Sequence, residues 1–308
     1  MTNLHQIILS GPAVSDERIS GHLFRDLMDV LVDGAERALR YRIEGRSTAG
    51  GGPYPKYLRA AADFALLRKP ELGANSAVIE ARPLVETMPD RFVQGEMFAD
   101  LDPSRSPIDL FEDALEDALA GNEDSDRFDA GLVKSFENFG ALLDQGVENV
   151  DLINGRHLQV NEKTLKKVHH LASRSYAPQR VRVAGQLETI RYSDCRFVLK
   201  LEDKTLLPGT AIDLGNEVLR AFYGKPVLVT GKATFRPSGR PLQIEAEDIE
   251  NVSEHDAVIW SRPPKPLLGP ARPVRDEQRG KKGLAALLGK WPGDETDEEV
   301  QAALDSLS

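Results

Sequence analysis

Arg180-Val-Arg-Val-Ala-Gly-Gln-Leu-Glu-Thr-Ile190 opens a run of alternating apolar and polar residues that governs the architecture of this chain. Alternation with period two is the signature of a half-buried strand. Residues 195–201 and 206–211 repeat the pattern, residues 216–223 have helical spacing, and Val227-Leu-Val-Thr-Gly-Lys-Ala-Thr-Phe235 and residues 242–249 return to strands. Three strands, one helix and two strands within about 70 residues are the layout of a small OB-like five-stranded barrel. Gly185 and Gly231 lie inside the first and fourth strands, where the tight bends of a small barrel call for glycine.

Upstream, the pattern is mixed. Residues 19–43 place apolar side chains at helical spacing, and the glycines and prolines of residues 45–55 end that helix. Residues 57–62 read as a short helix, and 64–68 and 77–81 as strands. A polar segment spans 86–106. Ser106-Pro107 starts an acidic helix that Gly121 stops, and residues 129–145 read as another helix. Residues 150–153 and 158–160 form a hairpin across Asn154-Gly155-Arg156, and a helix covers 163–174. The expected fold class is α+β. An N-terminal mixed α/β domain (1–175) precedes the barrel (176–252), a proline-rich linker (253–280) and an extended tail with a short helix (281–308).

Composition narrows the function classes. The chain has 308 residues, 41% apolar and 29% charged, with a net charge of −10. No apolar run approaches the ~20 residues of a bilayer span. Residues 1–12 carry no basic leader, so no signal peptide is expected. Cys195 stands alone, which excludes an internal disulfide and predicts a cytoplasmic setting. The charge is uneven: residues 1–150 carry net −12, residues 262–290 net +6 and residues 291–308 net −6. A basic block followed directly by an acidic one reads as an interaction tail.

Catalytic motifs are sparse. None of the six histidines pairs with a second His or a Cys at metal-ligand spacing. Gly50-Gly51-Gly52 lacks the Gly-Lys-Ser/Thr ending of a phosphate loop. Cys195 on a strand reads as a small core residue. Glu112, Asp113, Glu116 and Asp117 line one helix, and a solvated face is the expectation, since a metal site there needs a histidine or facing carboxylates. No nucleophile elbow or triad is legible, so the chain is expected not to be an enzyme, and no cofactor is predicted. The barrel offers one ligand face: Arg180, Arg182, Arg196 and Lys200, with Tyr192, Phe197, Phe222 and Phe235 interleaved. Basic side chains with stacking aromatics mark single-stranded nucleic-acid binders, although this module's net charge is only about +1.

The tail carries the sharpest signal. It reads Gly289-Lys-Trp-Pro-Gly-Asp-Glu-Thr-Asp-Glu-Glu-Val-Gln-Ala-Ala-Leu-Asp-Ser-Leu-Ser308. Thr296 and Glu299 make a capping-box pattern, and Val300, Ala303, Leu304 and Leu307 form one helical stripe. Trp291 is an interface-type anchor, and Pro292 lowers the ordering cost of docking. An amphipathic stripe fills grooves on partners. The competing expectation is that Trp291 and the stripe pack back onto the chain's own body.

This segment resembles the C-terminal tail of bacterial antitoxins that neutralise PIN-domain ribonuclease toxins. The resemblance covers the chain from Gly289 onward and implies a PIN-domain-type nuclease partner whose acidic metal site the tail occludes. It assigns partner binding to Lys290, Trp291, Pro292, Gly293, Asp294, Val300, Leu304 and Leu307. Arg279, Lys281 and Lys282 would face the nuclease's carboxylates. Such antitoxins are usually short and begin with a DNA-binding module, which this longer, acidic chain does not show. The expected function is sequestration of a nuclease toxin; the alternative is single-stranded nucleic-acid binding by the barrel. No membrane partner is expected.

Overall fold

The computed structural model describes residues 3–15, 18–49, 54–67, 73–92, 101–192, 194–263 and 265–266. Residues 1–266 form one compact unit, built from a helix-backed sheet and a barrel.

The first strand, β1 (Asn3–Ser10), is the centre of the sheet, although its sequence reads only as a short apolar run. His5, Ile7 and Leu9 alternate inward, buried at 0–2% exposure. Helix α1 (Gly21–Glu44) follows, capped by Ser20 and stopped by Gly45 at φ 59°. Next come α2 (Lys56–Ala62), the antiparallel pair β2 (Phe64–Leu67) and β3 (Ser76–Ala81), and two short helices, α3 (Leu84–Thr87) and α4 (Pro89–Phe92), in the segment that reads as polar.

Helix α5 (Pro107–Ala120) has a complete capping box from Ser106 and Asp109, Pro107 in its first turn and Gly121 at φ 80° behind it. The single helix expected over 129–145 is three pieces: α6 (Ala130–Ser135), a 3-10 turn (Phe136–Phe139) and α7 (Gly140–Asp144). The hairpin β4 (Asn149–Ile153) and β5 (His157–Val160) and helix α8 (Glu162–Ser173) complete this layer. Strand order is β2-β3-β1-β4-β5, all antiparallel. Behind the sheet, Phe111 packs against Phe136 and Phe139 at 5.6 and 6.5 Å. Helices α1 and α5 meet at Gly34, where an added Cβ would lie 2.3 Å from the Phe111 ring.

The barrel follows the expected element order. Strands β6 (Gln179–Arg191), β7 (Arg196–Lys200) and β8 (Leu206–Thr210) precede α9 (Asn216–Phe222), β9 (Pro226–Phe235) and β10 (Pro241–Asn251). They close as β10-β8-β7-β6-β9, with the third and fifth strands parallel and β9 returning to β10. Its interior is apolar, from Val183, Leu187, Phe197 and Leu199 to Phe235 and Ile244, and Leu219 of α9 plugs it. The bends depend on missing side chains. A Cβ on Gly231 would lie 2.1 Å from the Glu245 carbonyl oxygen, and one on Gly209 2.3 Å from the Phe197 ring. Residues expected to begin a linker instead start with helix α10 (Glu254–Ile259), capped by Ser253. No helix among the described residues is long and apolar enough to cross a membrane.

Candidate functional site

Two polar centres stand out, one inside the sheet layer and one where that layer meets the barrel. The first is built by β1 and α5. Alternation along β1 turns His5 toward the helices. The helical repeat of α5 puts Asp109, Glu112, Asp113 and Glu116 on adjoining faces. His5 Nδ1 lies 2.7 Å from Glu112 Oε1, and His5 Nε2 lies 3.4 Å from Ser106 Oγ. His5, Ser106 and Glu112 are all within 1% of complete burial. The solvated face expected for these carboxylates is therefore corrected: Glu112 is a core residue, and the histidine whose absence argued against a cluster is His5, more than 100 positions upstream.

A serine, a histidine and a carboxylate linked through opposite ring nitrogens have the connectivity of a nucleophile, a base and an orienting acid. The hydrogen bonds give this one another role. Ser106 Oγ donates to Asp109 Oδ2 at 2.8 Å while accepting from the Asp109 amide, which is the helix cap. Asp109 also accepts from the Ser106 amide, Asn3 Nδ2 and Asn154 Nδ2 at 2.7–2.8 Å. The network ties β1, the 154–156 turn and α5 together.

His5, Asp109 and Glu112 are also the one group among the described residues whose donor atoms lie close enough to share a cation, within 4.8 Å of one another. One imidazole and two carboxylates suit a divalent transition metal. Binding it would require opening the His5–Glu112 bond and displacing donors from Asp109. Above the network lies a surface cleft of 340 Å³ lined by Arg105, Asp113, Asn154 and Arg156. Arg105 and Arg156 both donate to Asp113, at 2.5 and 2.7 Å. Burial by itself would raise the Asp113 carboxyl, but these two guanidiniums outweigh it and hold the group below its ordinary value.

The second centre joins the barrel to the sheet layer. Arg196 Nη2 donates to the carbonyls of Arg42 and Ile43 at 2.7 and 3.0 Å, satisfying the C-terminal end of α1. Arg46 reaches Asp213 at 3.2 Å, and the Ser47 amide donates to Glu245 at 2.9 Å. Ser238 and Arg240, in the β9–β10 turn, bond Asp124. Buried Asp129 fixes the start of the glycine-rich loop by accepting from Ser47, Thr48 and the Leu132 amide, capping α6 as it does so.

The four basic residues expected on the barrel's ligand face each have a partner within this chain. Arg180 pairs with Glu247 at 3.0 Å, Arg182 with Glu250 at 2.9 Å and Lys200 with Glu188 at 2.9 Å, while Arg196 is turned into the junction. Arg182 also lies over the Trp260 ring at 5.6 Å. Phe197 and Phe235 are core side chains, Phe222 is partly buried against the core, and Tyr192 is half-exposed. Cys195 sits in the turn before β7 at φ 53°, and its thiol donates to Asn216 Oδ1 at 3.2 Å. Burial and neighbouring Asp194 raise the thiol's pKa, which suppresses the nucleophilic thiolate. Lys290, Trp291, Pro292, Gly293, Asp294, Val300, Leu304 and Leu307 lie outside the described residues.

No sequence motif links His5, Ser106 and Asp109 as a group. Ser106-Pro107 marks the start of the helix, whereas the alternation of His5 with Ile7 and Leu9 is a signal of burial that went unread. Nothing local pairs the two segments. Comparisons with protein-family models, with curated proteins and with solved structures find no match.

Proposed function

We propose that this chain is a non-catalytic binding protein that holds a PIN-domain-type ribonuclease toxin inactive by laying residues 281–308 across its active site. The observation that carries the reading is the segment from Gly289 to Ser308, with its Trp-Pro-Gly-Asp core and capped apolar stripe. That segment follows a compact body ending at Pro266 and a basic, proline-rich stretch. A body supplying bulk and a tail supplying an aromatic anchor fit inhibition by occlusion, in which the partner's groove covers apolar groups.

The nucleic-acid alternative draws on the barrel alone, and the geometry favours it less. Barrels of this type take single strands across the second and third strands and the flanking loops. Here Arg196 at the start of β7, Thr210 at the end of β8 and the β9–β10 turn face the chain's own sheet layer. Arg180, Arg182 and Lys200 are paired with glutamates.

On this reading a small PIN-domain ribonuclease should be encoded beside this chain, and the test uses that protein. Full-length protein should suppress its RNA cleavage, and a chain ending at residue 280 should not. Trp291→Ala should weaken the complex about 30-fold, the loss of a hot-spot aromatic of about 2 kcal/mol. Inhibition that survives the truncation would refute the reading. Salt-sensitive oligonucleotide binding by the full chain, unchanged by that truncation, would favour the barrel instead.

A further inference from the structure

Asn154-Gly155 is the one Asn-Gly pair in the 308 residues, and it forms the tip of the β4–β5 hairpin. The turn is tight: the Asn154 amide donates to the Arg156 carbonyl at 3.0 Å, and Gly155 sits at φ 65°. Gly155 is exposed, and a Cβ added there would meet nothing within 4 Å. Its amide donates to no carbonyl among the described residues. An uncrowded, unbonded amide nitrogen therefore follows directly on the Asn154 carboxamide. That order favours ring closure, because a side chain after the asparagine hinders attack and glycine has none.

The same carboxamide holds the hairpin in place. Asn154 Nδ2 donates to Asp109 Oδ1 at 2.8 Å, while Asp109 Oδ2 serves Ser106 and Asn3. Asp109 is 8% exposed, so Asn154 fastens the turn to a buried carboxylate of α5. Arg105 and Arg156 line the same cleft, but both already donate to Asp113, and Arg156 to Glu116 as well. We propose that Asn154 is a site of spontaneous deamidation, and that the reaction unfastens the β4–β5 hairpin from α5. The Gly155 nitrogen attacks Asn154 Cγ and gives up its proton. The N–Cγ bond forms, the Cγ–Nδ2 bond breaks, and Nδ2 departs as ammonia with that proton. Water then opens the cyclic imide at either carbonyl, giving aspartate or isoaspartate, with no oxidation or reduction. Both products replace a donor by a carboxylate. In aspartate, two like charges face each other where a 2.8 Å hydrogen bond stood, and Asp109 Oδ1 loses its donor. Isoaspartate also lengthens the backbone by one methylene inside a tight turn. This inference is independent of the tail.

The experiment ages the full folded chain in mildly alkaline buffer at physiological temperature, with site-resolved peptide mapping by mass spectrometry and thermal unfolding at intervals. The urea-unfolded chain, aged alongside, sets the time over which conversion is scored. Asn154 should gain one dalton ahead of every other asparagine, as a mixture of aspartate and isoaspartate. The unfolding midpoint should fall by roughly 2–8 °C on full conversion, and Asn154→Asp should show a fall in that range from the start. Asn154→Gln, whose longer side chain closes an imide far more slowly, should show neither the mass gain at that position nor the drift in midpoint. The proposal fails if Asn154 of the folded wild type stays intact, or lags any other asparagine, over the time in which the unfolded chain converts. It also fails if full conversion leaves the midpoint unchanged. If Asn154→Gln does not fold, the wild-type map and midpoint decide.

Discussion

The sheet layer and the barrel bury different things. The barrel's interior is aliphatic and aromatic, and its shape depends on glycines that let Phe197 and the Glu245 carbonyl approach neighbouring strands. The sheet layer has a larger apolar core but also encloses His5, Ser106, Asp109, Glu112, Thr48 and Asp129, nearly all joined by hydrogen bonds across distant segments. Two sets of ion pairs illustrate the contrast. Arg180 and Arg182 meet their glutamates in solvent, whereas Arg156 meets Glu112, Asp113 and Glu116 over a buried network. Apolar packing tolerates loss in proportion to area, while a buried polar network loses most when a single member goes.

The largest effect should come from His5→Leu. It leaves the Glu112 carboxylate buried with Arg156 at 3.7 Å as its nearest cation. Leaving a buried acceptor without its hydrogen-bond partner costs about 1–3 kcal/mol, and the double change with Glu112→Leu should recover part of the loss. Denaturant midpoints of the two singles and the double test this; a loss as small as that of a surface change would erase the contrast.

A smaller effect should appear on acidification. The Asp113 carboxyl titrates lower in the folded chain than in the unfolded one, so its contribution is complete above about pH 4 and is lost as pH falls through the depressed folded value. The stability gap between wild type and Asp113→Asn should therefore narrow below pH 4. A gap constant from pH 7 to pH 2 would contradict the clamp formed by Arg105 and Arg156.

The smallest effect belongs to the barrel surface. Arg180→Ala should cost about 0–1 kcal/mol, falling toward zero in high salt. A loss matching that of His5→Leu would mean that the two regions are held in the same way.

The same contrast explains what the sequence shows of each region. The barrel is legible because its signals are local: alternation in 180–190, a helix between the third and fourth strands, and glycines at the bends. The start of α5 is legible for the same reason, since Ser106 and Pro107 act within one turn. Strand β1 is not, because its central place depends on pairing with β3 and with β4, whose residues lie far along the chain. The network around His5 joins positions 101 and 107 residues apart, a separation at which no periodicity operates. The junction was hidden too: Arg196 alternates along its strand like any surface arginine, and its partner carbonyls belong to a helix 150 positions earlier.

Arg196's grip on the end of α1 has a practical corollary for dissection. A fragment cut out at residue 176 would bare the guanidinium and the Thr210 wall together, a cationic surface the parent polypeptide largely covers. Oligonucleotides sticking to such an excised piece would report the scissors rather than the biology.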